Sequence, residues 1–215
     1  MLFDISQCKI YGEYVEKECL DLRILNPVIE AIKSRRSVKN VNLEEIPPQH
    51  LIIEILEAAT WAPNHHLTEP WRFVVIARGE RQRLGDSMAE ALRSKMKTDD
   101  PRVEDVLKVE REKALRAPVI IAVISSPKPG EKIVPQEELI AVGAALQNIL
   151  LAAHSLGLGA IVRTGPNSYL DPVRSYFGLQ DNESLVGLVY LGYPLETPAP
   201  SKRSPLETKV QWRGF

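Results

Sequence analysis

The chain has 215 residues, of which 44% are hydrophobic and 26% charged, and its formal net charge is −1 at pH 7. This composition is typical of a globular protein in water. The near-neutral charge lacks the strongly basic balance of a protein that binds nucleic acid over its whole surface. We therefore expect one domain with a substantial core, or two small ones, and no nucleic-acid partner.

Residues 1–25 have mixed polarity and weak periodicity, and they lack the apolar core of a secretion signal. We expect a cytoplasmic protein in which these residues form an arm packed on the body or on a second subunit. The only cysteines of the chain, Cys8 and Cys19, lie in this arm, and we expect both to be reduced. The four histidines are either adjacent or on separate predicted elements, so we predict no metal site.

A basic segment follows the first predicted helix. The helix covers residues 27–33, with Val28, Ile29 and Ile32 on one face, and residues 34–39 after it read S-R-R-S-V-K. Two guanidinium groups, a hydroxyl and an ammonium group make a mixture of donors that suits phosphate oxygens. Basic residues at the end of a helix also serve simply to offset its dipole. Both interpretations stay open on this segment alone.

A dense polar and aromatic loop follows the second predicted helix. Residues 40–50 read as an extended connection, and residues 49–60 form a helix that ends before Pro63. Residues 61–71 then read W-A-P-N-H-H-L-T-E-P-W. Such side chains on a loop beside a rigid scaffold are typical of a functional site. An aromatic hinge that packs over the core is the alternative.

The rest of the chain alternates between strands and helices. Apolar runs predict buried strands at residues 72–77, 117–125, 160–163 and 185–191. Periodic patterns predict helices at residues 80–97, 102–115, 137–156 and 170–177. We interpret the first two helices as largely solvated charged faces, and Asp171 as the cap of the last one.

Helix 137–156 is apolar nearly all round, which favours a place in the middle of the structure or between two subunits. Polar residues interrupt the apolar span that contains it, so we predict a buried helix and no membrane span. From Tyr193 on, prolines dominate, and we expect an extended arm with a second basic pair at Lys202 and Arg203. The chain has no G-x-G-x-x-G turn after a strand, no Walker loop, no G-x-S-x-G elbow and no H-E-x-x-H motif.

Three separated stretches together resemble the nitroreductase family of FMN enzymes. Residues 34–39 resemble its opening R-R-S-x-K motif, residues 62–73 its A-P-S-x-x-N-x-Q-P-W-x-F segment, and residues 203–207 its closing R-x-P-L-E arm. The order of these motifs and the G-x-G-A-I strand at residues 157–161 also agree. The resemblance covers residues 26–215, which we take as the FMN-binding domain.

The resemblance implies an α+β fold with a central, mainly antiparallel sheet surrounded by helices. It also implies an intertwined homodimer with one FMN per subunit at the interface, and we expect helix 137–156 at the centre of that interface. The implied cofactor-binding residues are Arg35, Arg36, Ser37, Lys39, His65, Val162, Arg163, Thr164, Gly165, Gly192 and Arg203.

Several of these residues have implied roles. Arg35, Ser37 and Arg203 match the phosphate-binding positions, and Lys39 matches a lysine near the flavin N1 and O2 edge. A cation there favours reduction, since reduced FMN carries its negative charge around N1. The backbone of residues 162–165 would face the flavin N5 edge.

Two further residues are implied to lie near the cofactor, and two depart from the family pattern. Gly192 would let the backbone approach FMN. His65 matches a small subgroup with A-P-D-H in the loop, whose histidine touches the cofactor. Leu67 and Glu69 replace the family's asparagine and glutamine, which leaves the substrate open.

The implied activity is a ping-pong reaction in which NADH or NADPH gives a hydride to FMN, and a small acceptor of nitroaromatic or quinone type then takes the electrons. Because the cofactor carries this chemistry, we assign no catalytic side chain. Two alternatives remain: an FMN carrier or sensor without turnover, and a flavin enzyme that dehalogenates or dehydrogenates another small metabolite.

Overall fold

A computed structural model describes residues 26–96, 102–130 and 132–214. The N-terminal arm predicted at residues 1–25, with both cysteines, lies outside this part of the chain. The chain divides into two units between Arg35 and Arg36. The sheet and the helices around it, described below, belong to the second unit.

The described part of the first unit is helix α1 (Pro27–Ser34), which begins as its sequence predicts. The side-chain oxygen of Asn26 accepts hydrogen bonds from the N–H groups of Val28 (3.0 Å) and Ile29 (3.2 Å), and Pro27 occupies the first helical turn. None of its residues is buried.

Four strands form the sheet of the second unit, in the order β1-β2-β4-β3, and all three neighbouring pairs are antiparallel. The strands are β1 (Trp71–Ala77), β2 (Val119–Ser125), β3 (Gly159–Arg163) and β4 (Ser184–Gly192). Strand β2 is buried along its whole length, because it lies inside the sheet and both of its faces are covered. Its continuous apolar sequence, V-I-I-A-V-I-S, is the pattern that such a position requires. The predicted antiparallel sheet is confirmed.

Helices cover both faces of this sheet. They are α2 (Gln49–Thr60), α3 (Glu80–Arg93), α4 (Val103–Glu112), α5 (Pro135–Ser155) and α6 (Asp171–Tyr176), with 3-10 turns at His65–Leu67, Lys113–Leu115, Pro166–Tyr169 and Leu206–Thr208. Successive side chains of β2 point to opposite faces. Ile120, Ala122 and Ile124 therefore pack with α3 and α6, whereas Ile121 and Val123 pack with α2 and α5.

Helix α5 has a buried face and an exposed apolar face. Val142, Ala145 and Ile149 are fully buried against the sheet, whereas Leu139 is 51% and Ile140 72% exposed. Within residues 26–96, 102–130 and 132–214, α5 is the one helix long and apolar enough to cross a membrane by length and composition. Its buried face makes it a core helix of this fold.

Some of the helix boundaries predicted from the sequence are wrong. Helix α3 ends at Arg93 rather than at residue 97, and α5 begins two residues before its predicted start. Asp171 is not a cap: it is the first helical residue of α6, and Leu170 precedes it without a capping side-chain bond. The charged stretch at residues 102–115 is only partly a solvated face, because Glu110 is 5% exposed.

An ion pair between the partly exposed Arg72 and the buried Glu183 ties the start of β1 to the loop before β4. Arg72 donates to both carboxylate oxygens of Glu183, from Nε over 2.9 Å and from Nη2 over 2.8 Å. The backbone N–H of Gln180 donates to Glu183 Oε2 over 3.0 Å. These bonds, led by Arg72, lower the pKa of Glu183 from 4.5 to about 2 although burial raises it.

We predict that Glu183→Gln destabilises the protein by about 1–2 kcal/mol at pH 7, at the lower end for charged hydrogen bonds because Arg72 is partly exposed. Glu183 stabilises the fold fully above its unfolded pKa, and this contribution is lost as the pH falls from 4.5 towards 2. Urea unfolding at pH 7 and pH 3 measures the effect, with Glu80→Gln in the exposed Arg83 pair as control. A difference between parent and variant that stays constant with pH would contradict the assignment.

Candidate functional site

The basic segment predicted from the sequence extends the sheet beyond β3. Ser37 forms a parallel bridge with Ala160, and the N–H of Val38 donates to the carbonyl oxygen of Ala160 over 3.1 Å. Further along the chain, Val41 bridges Pro194, just after β4, in the antiparallel sense. The chain from Ser37 to Val41 therefore pairs first with β3 and then with the residues after β4.

A glycine allows this close approach. Val38 is 9% exposed, and it lies where a side chain on Gly159 would be: a Cβ built on Gly159 would come within 2.8 Å of Val38 Cγ1 and 2.9 Å of its Cβ. Real Cβ atoms essentially never lie so close to another carbon. Ser37 and Lys39, on either side of Val38, are exposed. The alternation of an extended backbone thus turns Val38 inward and its two neighbours outward.

These outward side chains line a cavity of about 350 Å³, here called the strand-edge cavity. Its lining residues are Arg36, Ser37, Val38, Lys39, Asn40, Glu196, Pro198 and Ala199. Asn40 Nδ2 donates to Glu196 Oε1 over 2.7 Å, which occupies one oxygen of the only carboxylate in the lining. The wall also contains two cations and a hydroxyl, a donor set suited to a phosphate group.

A second cavity of about 350 Å³, here called the turn cavity, lies where β3 runs into the 3-10 turn Pro166–Tyr169. Its lining residues are Met88, Glu110, Lys113, Arg116, residues 161–168, Leu188 and Tyr190. Gly165 has extended backbone, and a Cβ built on it would meet nothing within 4 Å. The space beside Gly165 is therefore open to a ligand, although its carbonyl oxygen accepts from the N–H of Ser168 over 2.9 Å.

The wall of the turn cavity carries more positive than negative charge. Lys113 forms an ion pair with the buried carboxylate of Glu110. The guanidinium carbon of Arg163 lies 5.2 Å from the centre of the Tyr190 ring, and its Nε is buried without a hydrogen-bond partner in the described part of the chain. Burial raises the pKa of Tyr190 to about 12, although Arg163 and Arg116 oppose the shift. The phenol therefore stays protonated and can donate a hydrogen bond.

The loop between α2 and β1 has a strained backbone. His66, Leu67 and Glu69 have φ angles of 55°, 52° and 48°, in the left-handed region that only glycine adopts without cost. Each such residue costs about 1–3 kcal/mol, and strain of this kind clusters at functional sites. His65, His66 and Leu67 are exposed, so the loop presents them to solvent.

Thr68 anchors this loop from within. It is 5% exposed, and its hydroxyl donates to Glu138 Oε1 over 2.7 Å. Glu138 is 2% exposed in the first turn of α5, and its second carboxylate oxygen is buried without a hydrogen-bond partner among the described residues. Asn64 adds a second restraint, since its side-chain oxygen accepts from the N–H of Glu69 over 3.0 Å.

The structure brings seven of the predicted site residues into the two cavity linings. Arg36, Ser37 and Lys39 line the strand-edge cavity, and Val162, Arg163, Thr164 and Gly165 line the turn cavity. Ser37 lies beside Ala160, so the two groups are linked by the three-residue rise from Ala160 to Arg163, about 10 Å along β3.

The other four predicted residues lie elsewhere. Arg203 is on the exposed tail, where it bonds to its neighbours Ser201 and Lys202. Gly192 is buried, and a Cβ there would come within 2.8 Å of Pro118, so close packing alone explains the glycine. His65 is on the exposed loop and lines neither cavity. Arg35 belongs to the first unit. Their contacts with a cofactor stay predictions.

Sequence reasoning missed several residues of these cavities and of the loop. Glu110 and Lys113 lie in the charged stretch 102–115, which the sequence predicts to be largely solvated, and Arg116 directly follows it. No periodic signal marks Glu110 as buried. Tyr190 lies in the apolar run of β4, so the sequence does not distinguish it from a core residue. The Thr68–Glu138 contact joins residues 70 positions apart, which no local pattern indicates.

The chain is similar to several known proteins. YfhC of Bacillus subtilis (strain 168), named as an NAD(P)H nitroreductase, is 31% identical over 180 residues, 84% of this chain and 91% of the relative. The NADH dehydrogenase of Thermus thermophilus is 32% identical over 212 residues, 89% of this chain and 98% of the relative. Iodotyrosine deiodinase 1 of Sus scrofa is 30% identical over 210 residues, 92% of this chain and 71% of the relative.

Solved structures of similar proteins have the same fold. The nitroreductase-like family protein from Bacillus cereus superposes with a TM-score of 0.77 at 28% identity, over 88% of this chain and 97% of that one. A Desulfovibrio desulfuricans structure, described as a nitroreductase in complex with FMN, gives 0.61 at 28% identity, over 88% and 98%. The model of the nitroreductase family matches residues 32–193. By fold and sequence, this chain belongs to the nitroreductase family.

Proposed function

We propose that the protein is an FMN-dependent oxidoreductase that uses NADH or NADPH to reduce a small acceptor of nitroaromatic or quinone type. The observation that carries the proposal is the pairing of Ser37 with Ala160. This pairing links a cationic cavity to a second cavity at the other end of β3. FMN has the same two-part character, an anionic phosphate joined by a flexible chain to a planar ring.

The strand-edge cavity fits the phosphate group. Arg36 offers a planar fork of donors and Ser37 a hydroxyl, which is the chemistry of phosphate recognition in proteins, whereas the family pattern assigns Lys39 in the same wall to the edge of the ring. Arg203, which the family pattern also assigns to the phosphate, would add another guanidinium group.

The turn cavity fits the ring. Its volume lies at the lower end of the range of small-molecule pockets, and open backbone at Gly165 leaves room for close approach. Arg163 supplies a buried donor without a partner among the described residues, and Tyr190 a protonated phenol. We propose that the backbone of residues 162–165 faces the reactive edge of the ring.

FMN, when bound, accepts two electrons from NAD(P)H and passes them to the acceptor. The chain contributes binding, orientation and charge. Lys39 would stabilise the negative charge that reduction adds, because a fixed cation is worth more in a cavity than in bulk water. No side chain of the two cavities needs to transfer a proton for this role.

We also propose that two copies of the chain form a dimer around the exposed face of α5. Leu139 and Ile140 leave apolar surface at its N-terminal end. Leu195, Leu206 and Trp212 of the tail are also exposed, by 68%, 64% and 69%. Exposed apolar residues on both a long helix and an extended tail are typical of an interface that buries more than about 2,000 Å².

Two measurements on purified protein test the main proposal. A visible absorption spectrum should show bound flavin. NADPH consumption should depend on an added acceptor such as 1,4-benzoquinone. Flavin without turnover would favour a carrier or sensor, and protein without flavin would contradict the proposal.

The likeness to iodotyrosine deiodinase 1 favours a second candidate function, the reductive removal of halide from a small aromatic metabolite. The same binding residues would serve, because only the acceptor differs. Incubation of the reduced holoenzyme with 3-iodotyrosine, followed by measurement of released iodide, separates this function from nitro or quinone reduction.

Lys39→Met should lower the two-electron reduction potential of bound flavin by about 30 mV or more, the equivalent of about 1.4 kcal/mol, because the variant loses a cation beside the reduced ring. FMN should remain bound through its phosphate, and reduction by NADPH should slow. Spectroelectrochemical titration is the measurement. Lys108→Met, at an exposed position of α4, is the control. Equal midpoints for Lys39→Met and the parent would place Lys39 away from the flavin.

Gly159→Ala should weaken FMN binding at least tenfold, because the added methyl group pushes Val38 and the adjoining Ser37 away from β3. Gly79→Ala is a matched control, since a Cβ there would meet nothing within 4 Å. Fluorescence titration of the apoprotein with FMN gives both dissociation constants. If Gly159→Ala binds FMN as the control does, the strand-edge cavity is not the phosphate site.

Ile140→Glu should convert the proposed dimer into a monomer, because a carboxylate would be buried without a partner in an apolar interface. Sedimentation at micromolar concentration measures the change. Val109→Glu alters a similarly exposed apolar residue on α4 and should leave the dimer intact. A parent protein that sediments as a monomer would refute the proposed interface.

A further inference from the structure

The loop between α2 and β1 holds a buried polar contact that the proposed cofactor cavities do not use. Thr68 donates to Glu138 over 2.7 Å, and the two residues are only 5% and 2% exposed. Thr68 stands among exposed neighbours, since His65, His66, Leu67 and Glu69 all face solvent. Thr68 is therefore the inward anchor of this stretch, and the anchor is fixed to the first turn of α5.

The anchor lies in the middle of the strained backbone. Leu67 and Glu69, directly before and after Thr68, both have left-handed φ angles, and so does His66. Residues with a Cβ leave this region unless surrounding contacts hold them there. Loss of the Thr68 bond would let the stretch relax, and a relaxed backbone would turn the exposed side chains in new directions.

Glu138 is a costly residue for a purely structural purpose. One of its oxygens has a partner, whereas the other is buried without one among the described residues. A buried polar group satisfied only in part is less stable than apolar packing of the same size, even with help from a helix N-terminus. A leucine would fill a similar volume without this cost. We therefore expect the carboxylate of Glu138 to serve the loop that it holds through Thr68 rather than the stability of the fold.

We propose that Glu138 and Thr68 are positioning residues: they hold the strained loop, whose His65 the family pattern assigns to the cofactor, in the conformation in which it meets the acceptor. The inference rests on the proposed function, because it concerns the productive position of that acceptor. It adds to that function a pair of residues on α5 and in the loop that do not touch the cofactor cavities themselves.

Hydrogen exchange tests the anchor without any cofactor. In Thr68→Val, which removes the hydroxyl at nearly constant shape, amide exchange in a peptide covering residues 61–70 should accelerate at least tenfold. Thr68→Ser keeps the hydroxyl and should exchange like the parent. Thr60→Val is the matched control, since its hydroxyl bonds only locally to the carbonyl oxygen of Glu57. Parental exchange in Thr68→Val would overturn the proposal.

Steady-state kinetics test the functional half. With NADPH and 1,4-benzoquinone, Thr68→Val should raise the KM for the quinone at least tenfold while the flavin content stays at the parental value. Thr68→Ser should restore the parental KM. An unchanged KM in Thr68→Val, in a parent that binds FMN and turns over, would overturn this inference alone. A parent without flavin or turnover would contradict the proposed function and this inference with it.

A double variant separates positioning from structure. Thr68→Val with Glu138→Leu replaces the polar pair by apolar groups, so its unfolding midpoint should equal or exceed that of the parent. Its KM for the quinone should still rise at least tenfold. A double variant with parental KM would overturn the proposal, since the polar pair would then have no role in the reaction.

Discussion

The pairing of Ser37 with Ala160 determines where the candidate site lies. It depends on close packing, because Val38 occupies the space that a side chain on Gly159 would need. Once Val38 is fixed inward, the alternation of extended backbone places Ser37 and Lys39 outward on one side. Ser37 is thereby paired with β3. The distance from Ser37 to the turn after β3 is then set by the rise of a strand rather than by a flexible loop.

The two layers around the sheet contribute different parts of the site. The layer of α3 and α6 contains Tyr190, whose ring lies under Arg163 at the wall of the turn cavity. The layer of α2 and α5 contains Glu138, which holds the strained loop. Strand β2 can separate these layers because it is apolar on both faces.

Much of the fold was predictable because its signals are local. The apolar runs of the four strands and the periodicity of α2 and α5 are strong, and the structure confirms them. The family motifs predicted the segments at residues 36–39 and 162–165, which line the two cavities. Burial of Glu110 and Glu138 was not predictable, since charge in a helix normally indicates a solvated face. It depends on which face packs, and only tertiary structure decides that. Two of the left-handed residues were also not predictable, because Leu67 and Glu69 are not residues that favour positive φ.

Two buried carboxylates show how differently the same group can be used in one fold. Glu183 accepts two bonds from Arg72 and one from the backbone of Gln180, so its charge is fully compensated and its pKa falls to about 2. Such a residue contributes to stability, and its bonds join the start of β1 to the loop before β4. Glu138 receives one bond, from Thr68, and keeps a buried oxygen without a partner among the described residues. Stability alone would not favour that arrangement. The two carboxylates therefore differ in how many hydrogen bonds they accept within the described part of the chain. Glu183, with three, stabilises the scaffold, whereas Glu138, with one, holds the strained loop.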